Sequence, residues 1–210
     1  MASGKIVTPD SGVPALSDIA LALGRQPRFG GQCREHWTVL QHSLVVADLI
    51  KEYPISFDSV RESALFLGAL LHDSHEYIGD IPRPFKTADI KKLQGELDRR
   101  LLKYIGWTLA CWEYRIDSSK ICDVVKAADS LACVYEAAMV GPVHYRRVKE
   151  WRLSKGELFK ANAAIEWYRG KPDDTAPGGF LYKTFVTRVC GALEALRIGK
   201  KWSMQSTHTG

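Results

Sequence analysis

Several features that mark particular protein classes are missing from this sequence. No apolar run approaches the roughly 20 residues that span a bilayer, and the first residues lack the apolar stretch of a secretion signal. The five cysteines are an odd number and contain no C-x-x-C pair, which argues against a disulfide framework and against a zinc ribbon. We therefore expect reduced thiols, no membrane association and a cytoplasmic location, with Cys122 and Cys133 as plain core residues.

A strong charge of one sign is also missing. The chain has 29 basic and 24 acidic residues, a formal net charge of +5, and its basic residues are scattered along the sequence. It has no stripe of basic residues interleaved with aromatic ones of the kind that binds RNA. This balance permits an anionic small-molecule substrate, and we expect no binding to a nucleic acid polymer.

Apolar residues recur at helical spacing along most of the chain, and no segment alternates convincingly enough to predict a strand. Ser17 is the predicted N-cap of the first helix, and the prolines of 79–84 predict a rigid loop. The sequence therefore predicts an all-α fold. Its helices are expected at 18–23, 37–53, about 58–75, 91–104, from a cap at Asp117 or Ser118 to about 140, about 155–168 and 180–198.

We expect four parts along the chain. They are a flexible lead over 1–16, a helical core over 17–140, C-terminal helices over 141–198 and a tail over 199–210. The C-terminal helices carry many aromatic residues, which suit an oligomer interface as well as a core. We favour packing on the core and also expect a homo-oligomer. These aromatic residues are Trp151, Trp167, Tyr168, Phe180, Tyr182 and Phe185.

Three segments that are predicted as buried helices carry isolated His or Asp residues. His42 lies within 39–47, the pair His72-Asp73 ends the apolar run 64–71, and Asp129 lies within 124–132. One such residue alone is usually a core histidine or a capping aspartate, but an ionised Asp is almost never buried without a partner. A shared divalent metal would serve all four residues. Two imidazoles and two carboxylates suit Zn, Mn, Co or Fe better than Mg or Ca.

At these residues the sequence resembles the HD superfamily of metal-dependent phosphohydrolases, whose ligand pattern is H…HD…D. Residues 70–86, LLHDSHEYIGDIPRPFK, resemble the 5'-deoxynucleotidase branch, which reads HDxxE followed by GD(I/L)PxPxK. VKAADSL at 125–131 resembles its final ligand helix, and Arg28-Phe29 its Arg-aromatic pair. The resemblance covers about residues 17–140. It implies a helical bundle with one metal between the helices, bound by His42, His72, Asp73 and Asp129.

Two positions depart from the family pattern. Only Tyr77 and Ile78 separate Glu76 from the Gly-Asp pair, where the family has three residues, so Asp80 is shifted relative to the pattern. Gln41 stands where many members have Glu before the first ligand histidine. Gln41 is not a ligand, so the expected metal site is kept while its surroundings differ.

Glu76 is the expected proton-transfer residue. It lies four residues after His72, so on a helix both side chains would face the same side. Glu76 would orient the attacking water or protonate the leaving oxygen. His75, its neighbour in sequence, is expected to act as its proton partner. The alternative for Glu76 is a surface residue at a helix C-terminus, where a negative charge is unfavourable.

Four further residues are expected to bind substrate. Arg28 would clamp phosphate through its guanidinium fork, Phe29 would stack on the base, and the resemblance implies that Asp80 accepts a hydrogen bond from the sugar 3'-OH. Lys86 would contact phosphate. Each residue has an alternative role. Arg28 could be a solvated loop residue and Phe29 a hydrophobic anchor. Asp80 could be a turn residue and Lys86 a loop cap.

The favoured function is a 5'-deoxynucleotidase that converts a dNMP to deoxynucleoside and phosphate, in a bacterium or a phage-infected cell. A dNTP triphosphohydrolase that releases tripolyphosphate, with Mg accompanying the triphosphate, is the first alternative. A nucleotide-sensing module without catalysis is the second, and an interaction protein the third. A second metal site is not expected, because the spare histidines His75 and His144 match no second-site motif.

Overall fold

The computed structural model describes residues 8, 12–51, 60–82, 85–141, 155–169 and 179–198. Within these ranges the chain forms α-helices, two short 3-10 helices at Arg28–Gly31 and Ser74–Ile78, and no strand beyond one isolated bridge between Pro27 and Thr38. The predicted all-α fold is confirmed. The helices are α1 (Leu16–Arg25), α2 (Val39–Lys51), α3 (Val60–Leu71), α4 (Ala88–Tyr104), α5 (Trp107–Glu113), α6 (Ser118–Met139), α7 (Lys155–Arg169) and α8 (Phe180–Ala195).

The ends of the predicted helices were right in some places and wrong in others. Asp117 caps α6 as predicted, because its side chain accepts a hydrogen bond from the backbone N–H of Ser119 at 3.0 Å. Ser17 does not cap α1, which begins at Leu16 after Ala15. Leu16 is fully buried, so its packing draws the helix start one residue earlier and leaves Ser17 buried inside the first turn. Thr87, rather than a residue near 91, caps α4.

Helix α5 was not predicted. It is only seven residues long and follows Gly106, which has a left-handed φ of 81°. Trp107 fixes it to the core, because this side chain is buried and its Nε1–H donates to the carbonyl of Ala64 in α3 at 3.2 Å. A long-range hydrogen bond from one tryptophan leaves no periodic pattern in the sequence, so the spacing of apolar residues could not predict α5.

Helix α2 lies at the centre of the structure and contacts α1, α3, α6, α7 and α8. Its apolar side chains are buried around most of the helix rather than along one stripe, as expected of a central helix. These residues are Val39, Leu40, Leu44, Val45, Val46, Ala47, Leu49 and Ile50. His42, a polar residue on α2, is likewise fully buried.

The C-terminal helices pack on the same core. Tyr168 of α7 and Phe185 of α8 are fully buried, and α8 contacts α1 and α3. The hydroxyl of Tyr168 donates to Asp48 of α2 at 2.5 Å, and Arg188 of α8 donates to both side chains. Of the other aromatic residues named above, Tyr182 is buried, Trp167 and Phe180 are exposed, and Trp151 lies outside the described residues.

The predicted N-terminal lead, C-terminal tail and homo-oligomer involve parts of the molecule that the described residues hardly cover. The lead over 1–16 and the tail over 199–210 lie largely outside the described residues, as does His144. The homo-oligomer stays a prediction. Among the helices of the described ranges, none combines the length and the apolar character needed to cross a membrane.

Candidate metal centre

Four side chains from three distant parts of the sequence lie close together. Nε2 of His42 lies 3.2 Å from Nε2 of His72, 3.5 Å from Oδ2 of Asp73 and 3.1 Å from Oδ1 of Asp129. Nε2 of His72 lies 3.3 Å from Oδ2 of Asp73 and 3.8 Å from Oδ1 of Asp129. Nitrogen and oxygen ligands at about 2.0–2.2 Å from a tetrahedral ion are roughly 3.3–3.6 Å apart. The spacing of these atoms therefore suits a common metal ion.

The first turn of α2 fixes the position of His42. Gln41 Oε1 accepts from the backbone N–H of Thr38 at 2.9 Å, and the Thr38 hydroxyl accepts from the N–H of Gln41 at 3.2 Å. This reciprocal pair is a capping box. The amide of Gln41 also donates to the carbonyl of Tyr168 at 3.3 Å. Gln41 thus anchors the helix that carries His42 through hydrogen bonds to Thr38 and Tyr168.

The end of α3 lets two adjacent residues face the same point. Neighbouring residues within an α-helix point about 100° apart, but α3 ends at Leu71 and Asp73 has φ −105° and ψ 20°. Nδ1–H of His72 donates to the carbonyl of Ala69 at 2.8 Å. The imidazole is therefore held with Nε2 directed at the side chains of Asp73 and His42.

Glu136 belongs to the site although no sequence pattern identified it. Both of its carboxylate oxygens lie 3.0 Å from Nδ1 of His42, and both side chains are fully buried. Glu136 lies seven residues after Asp129, two turns of α6, so the two share a face of that helix. A histidine that ligates a metal through one ring nitrogen usually donates the other N–H to a carboxylate, as His42 does here.

The charges at this point attract a cation. In the neutral tautomers both Nδ1 atoms carry the hydrogen, so both Nε2 lone pairs are directed at two carboxylates. Burial and Arg28 lower the pKa of His42, but Glu136 and Asp129 outweigh them and raise it to about 10. Burial raises the pKa of Asp129, but hydrogen bonding and charge from His42 bring it well below its usual range. A proton and a metal ion would therefore compete for Nε2 of His42.

Arg28 is not a solvated loop residue. Its side chain is buried, Nη1 lies 3.6 Å from Oδ2 of Asp73 and Nε 3.6 Å from Oε2 of Glu136, and Nη2 donates to the sulfur of Cys133 at 3.1 Å. Although burial lowers the pKa of Arg28, these anionic neighbours raise it well above its usual range. A permanent positive charge therefore lies beside the ligand-type residues.

Two cysteines differ from the prediction. Cys122 is exposed on α6 rather than part of the core. Cys133 lies at the site, where its thiol donates to Oδ1 of Asp129 at 3.2 Å. The two residues are four apart, so they stack on one face of α6. This spacing was a signal in the sequence, but its meaning depends on which face of α6 meets α2.

Phe29 lies next to Arg28 in the 3-10 helix Arg28–Gly31. It has a left-handed backbone, φ 56° and ψ 31°, which is uncommon for a residue other than glycine and is often found at functional sites. Its half-buried ring lies 5.6 Å from the guanidinium carbon of Arg28. The next residue, Gly30, is close enough to the 79–82 loop that a β-carbon there would lie 3.7 Å from Pro82. The two segments therefore lie side by side at the site.

Glu76 is buried and carries an unusual carboxyl group. It is 2% exposed, Oε1 accepts from Lys86 at 3.1 Å, and Oε2 is buried with no hydrogen-bond partner among the described residues. Burial and the negative charges of Asp73 and Asp80 raise the pKa of Glu76 to about 7. A surface position for Glu76 is thereby excluded. Asp80 itself is half-buried, and burial raises its pKa.

His75 is held by α4 rather than by Glu76. Its Nδ1–H donates to Oδ2 of Asp98 at 2.9 Å. Burial lowers the pKa of His75, but the bond to Asp98 outweighs it and the pKa is raised.

Asp73, His75 and Glu76 each provide one ligand-type atom, and these three atoms lie within 4.8 Å of one another. The described residues contain two further groups with this spacing, His42–His72–Asp73 and His42–Asp129–Cys133, and each group could hold a metal ion.

The chain was compared with known proteins. No family model matches it, and no curated protein matches it. What this site does is therefore inferred from its own residues and from the motif resemblance described above.

Proposed function

We propose that the chain is a metal-dependent phosphohydrolase that cleaves the 5'-phosphate ester of deoxynucleoside monophosphates. The observation that supports this most is the convergence of His42, His72, Asp73 and Asp129, with both imidazole Nδ1 atoms committed to other acceptors. A divalent Co, Mn, Zn or Fe ion bound there would lower the pKa of water toward neutrality and polarise a phosphoryl oxygen. The H…HD…D resemblance supports the same chemistry.

Arg28 is the proposed phosphate-binding residue. Its guanidinium is buried within 3.6 Å of Asp73, so it can reach a phosphate that approaches the metal ligands. A guanidinium fork matches two phosphate oxygens and stays charged at any physiological pH. Arg28 would therefore orient the phosphate and offset the negative charge that develops on it during attack.

Glu76 is the proposed proton donor to the leaving O5'. A carboxyl group with a pKa of about 7 is protonated in a large share of molecules at neutral pH, whereas an ordinary glutamate is not. Lys86 contacts Oε1 and would stabilise the carboxylate after the proton has been given up. His75, held by Asp98, is proposed as the proton partner beside Glu76.

The sugar and base would lie between the Arg28–Gly31 turn and the 79–82 loop. These segments approach each other at Gly30 and Pro82. Asp80 on the loop is proposed to accept a hydrogen bond from the sugar 3'-OH, and Phe29 on the turn to stack on the substrate. A deoxynucleotide would contact both segments while its phosphate reaches Arg28.

Chromatographic product analysis tests the proposal. Purified protein would be incubated with each dNMP, each dNTP and the matching ribonucleotides, with Mn²⁺ or Co²⁺ and with a chelator as control. Deoxynucleoside and phosphate from dNMPs, lost with the chelator, are expected. Deoxynucleoside and tripolyphosphate from dNTPs would instead establish the triphosphohydrolase. Metal binding without turnover of any nucleotide would contradict the proposal and favour a sensor.

A further inference from the structure

The sulfur of Cys133 lies within the cluster of ligand atoms. It is 3.2 Å from Oδ1 of Asp129, and that oxygen is 3.1 Å from Nε2 of His42. Ligand atoms of these three residues all lie within 4.8 Å of one another. Sulfur ligates zinc at about 2.3 Å and oxygen at about 2.0–2.2 Å, so two such ligands on one tetrahedral ion are roughly 3.5–3.7 Å apart, close to the 3.2 Å between this sulfur and Oδ1 of Asp129. The position of the sulfur is compatible with a bond to the same ion.

Among the described residues, three other cysteines pack with apolar residues and contact no charged side chain through a hydrogen bond that involves sulfur. Cys111 is buried inside the hydrophobic cluster, and Cys33 and Cys190 pack against it. Cys133 instead contacts two charged side chains, as a donor to Asp129 and as an acceptor from Nη2 of Arg28 at 3.1 Å. Burial and the negative charges of Asp129 and Glu136 raise the pKa of Cys133 well above its usual range, and Arg28 opposes them only in part. A bound cation would offset those negative charges and displace the proton, because metals bind the thiolate. Cys133 thus contacts ligand-type and charged side chains rather than apolar core residues.

We propose that Cys133 is a thiolate ligand of the metal centre and that the site consequently favours a thiophilic ion, Zn²⁺ or Co²⁺, over Mg²⁺ or Mn²⁺. This inference rests on the proposed metal centre and adds to the H…HD…D set. On binding, the S–H proton now directed at Asp129 is released to solvent and the sulfur lone pair is donated to the ion. No oxidation state changes in this step. Thiolates select soft and borderline metals, whereas carboxylates alone suit Mg²⁺ and Mn²⁺.

Cobalt spectroscopy tests this directly. Metal-free protein would be titrated with Co²⁺ while the near-ultraviolet absorbance is recorded, because a thiolate bound to Co²⁺ gives a charge-transfer band that nitrogen and oxygen ligands do not. The variants are Cys133→Ser and, as a matched control, Cys33→Ser. Cys33 also lies beside Arg28, where its thiol donates to the backbone carbonyl at 3.3 Å, so the control removes a neighbouring thiol of similar exposure. Circular dichroism would verify that both variants stay helical.

The wild-type protein and Cys33→Ser are expected to show the band, and Cys133→Ser to bind Co²⁺ without it. Zn²⁺ affinity of Cys133→Ser, measured against a chromophoric chelator, should fall at least about tenfold, since loss of even an outer partner of a ligand typically costs 10–100-fold. Mn²⁺ affinity should fall less. X-ray absorption at the zinc edge should show one sulfur at about 2.3 Å in the wild type.

Three results would overturn the inference, in two different ways. Stoichiometric Co²⁺ binding without the band, or a band that persists in Cys133→Ser, would remove Cys133 from the ligand set and leave the four-residue metal centre in place. Absence of any Co²⁺ or Zn²⁺ binding by the wild-type protein would overturn the metal centre and, with it, the role of Cys133.

Discussion

Glu136 of α6 accepts a hydrogen bond from Nδ1 of His42 of α2 at 3.0 Å, with both side chains fully buried. This bond fixes which ring nitrogen of His42 is free for a metal, and the negative charge makes that nitrogen a better donor. A buried glutamate without a charged partner would destabilise the folded protein, because the desolvation of its carboxylate would not be offset.

Replacing Glu136 by Gln is expected to weaken metal binding about 10–100-fold, the usual effect of removing a carboxylate behind a ligating histidine. The amide keeps the shape of the side chain but removes its charge, so Nε2 of His42 becomes a weaker ligand for the metal. Competition titration with a chelator gives the affinity. Glu113→Gln, at an exposed position, is the matched control. Equal affinities of wild type and Glu136→Gln would show that the bond does not support a ligand.

His72→Ala and Asp73→Ala should each lower bound metal and abolish phosphate release together. Each variant removes an atom that lies 3.2–3.5 Å from two other ligand atoms of the cluster, so the remaining ligands cannot complete the site. Elemental analysis and product chromatography on the same preparation measure both losses. Asp123→Asn on exposed α6 surface is the control. Phosphate release by metal-poor Asp73→Ala would refute the site assignment.

Glu76→Gln should retain the metal and lose most of its turnover, about 10²–10⁴-fold, the usual contribution of a positioned proton-transfer group. Since the acid form is the active one and the pKa of Glu76 is about 7, wild-type kcat should fall as pH rises above 7. The variant should lack this decline because its amide does not titrate. A kcat unchanged by the substitution would remove Glu76 from the mechanism.

Lys86→Met tests the origin of the same pH dependence. The ammonium group contacts Oε1 of Glu76 at 3.1 Å and lowers the pKa of that carboxyl group, opposing burial. Removing the charge should therefore raise the pKa of Glu76 and move the decline in kcat to higher pH. In Glu76→Gln, by contrast, the decline should be absent. Lys91→Met, an exposed lysine on α4, should leave the profile unchanged. A decline that moves to lower pH would contradict the assignment.

The sequence alone was sufficient to identify site residues that are polar within an apolar helical run. His42 and Asp129 could be identified because each is polar within an apolar helical run, and the structure brings them within 3.1 Å. Glu136 and Cys133 could not, because their roles depend on the rotation of α6 against α2, which no local period encodes. Cys133 and Glu136 lie four and seven residues after Asp129, a spacing that is equally typical of an ordinary helix face. The turn at His72 and Asp73, between the end of α3 and the 3-10 helix Ser74–Ile78, was likewise not predictable from spacing within a regular helix.

The pH dependence of stability should reveal the competition between a proton and the metal at His42. The pKa of His42 in the folded, metal-free protein is about 10 against an ordinary value of 6.5. A raised pKa stabilises the folded state fully below pH 6.5, and this contribution is lost progressively as pH rises toward 10. The Tm of chelator-treated protein, measured by calorimetry, should therefore fall between pH 6.5 and 10. Protein saturated with Zn²⁺ should show a smaller fall, because the ion replaces the proton on Nε2 and binds more tightly as competing protons are removed. Parallel Tm curves with and without metal would mean that the ion does not bind at His42.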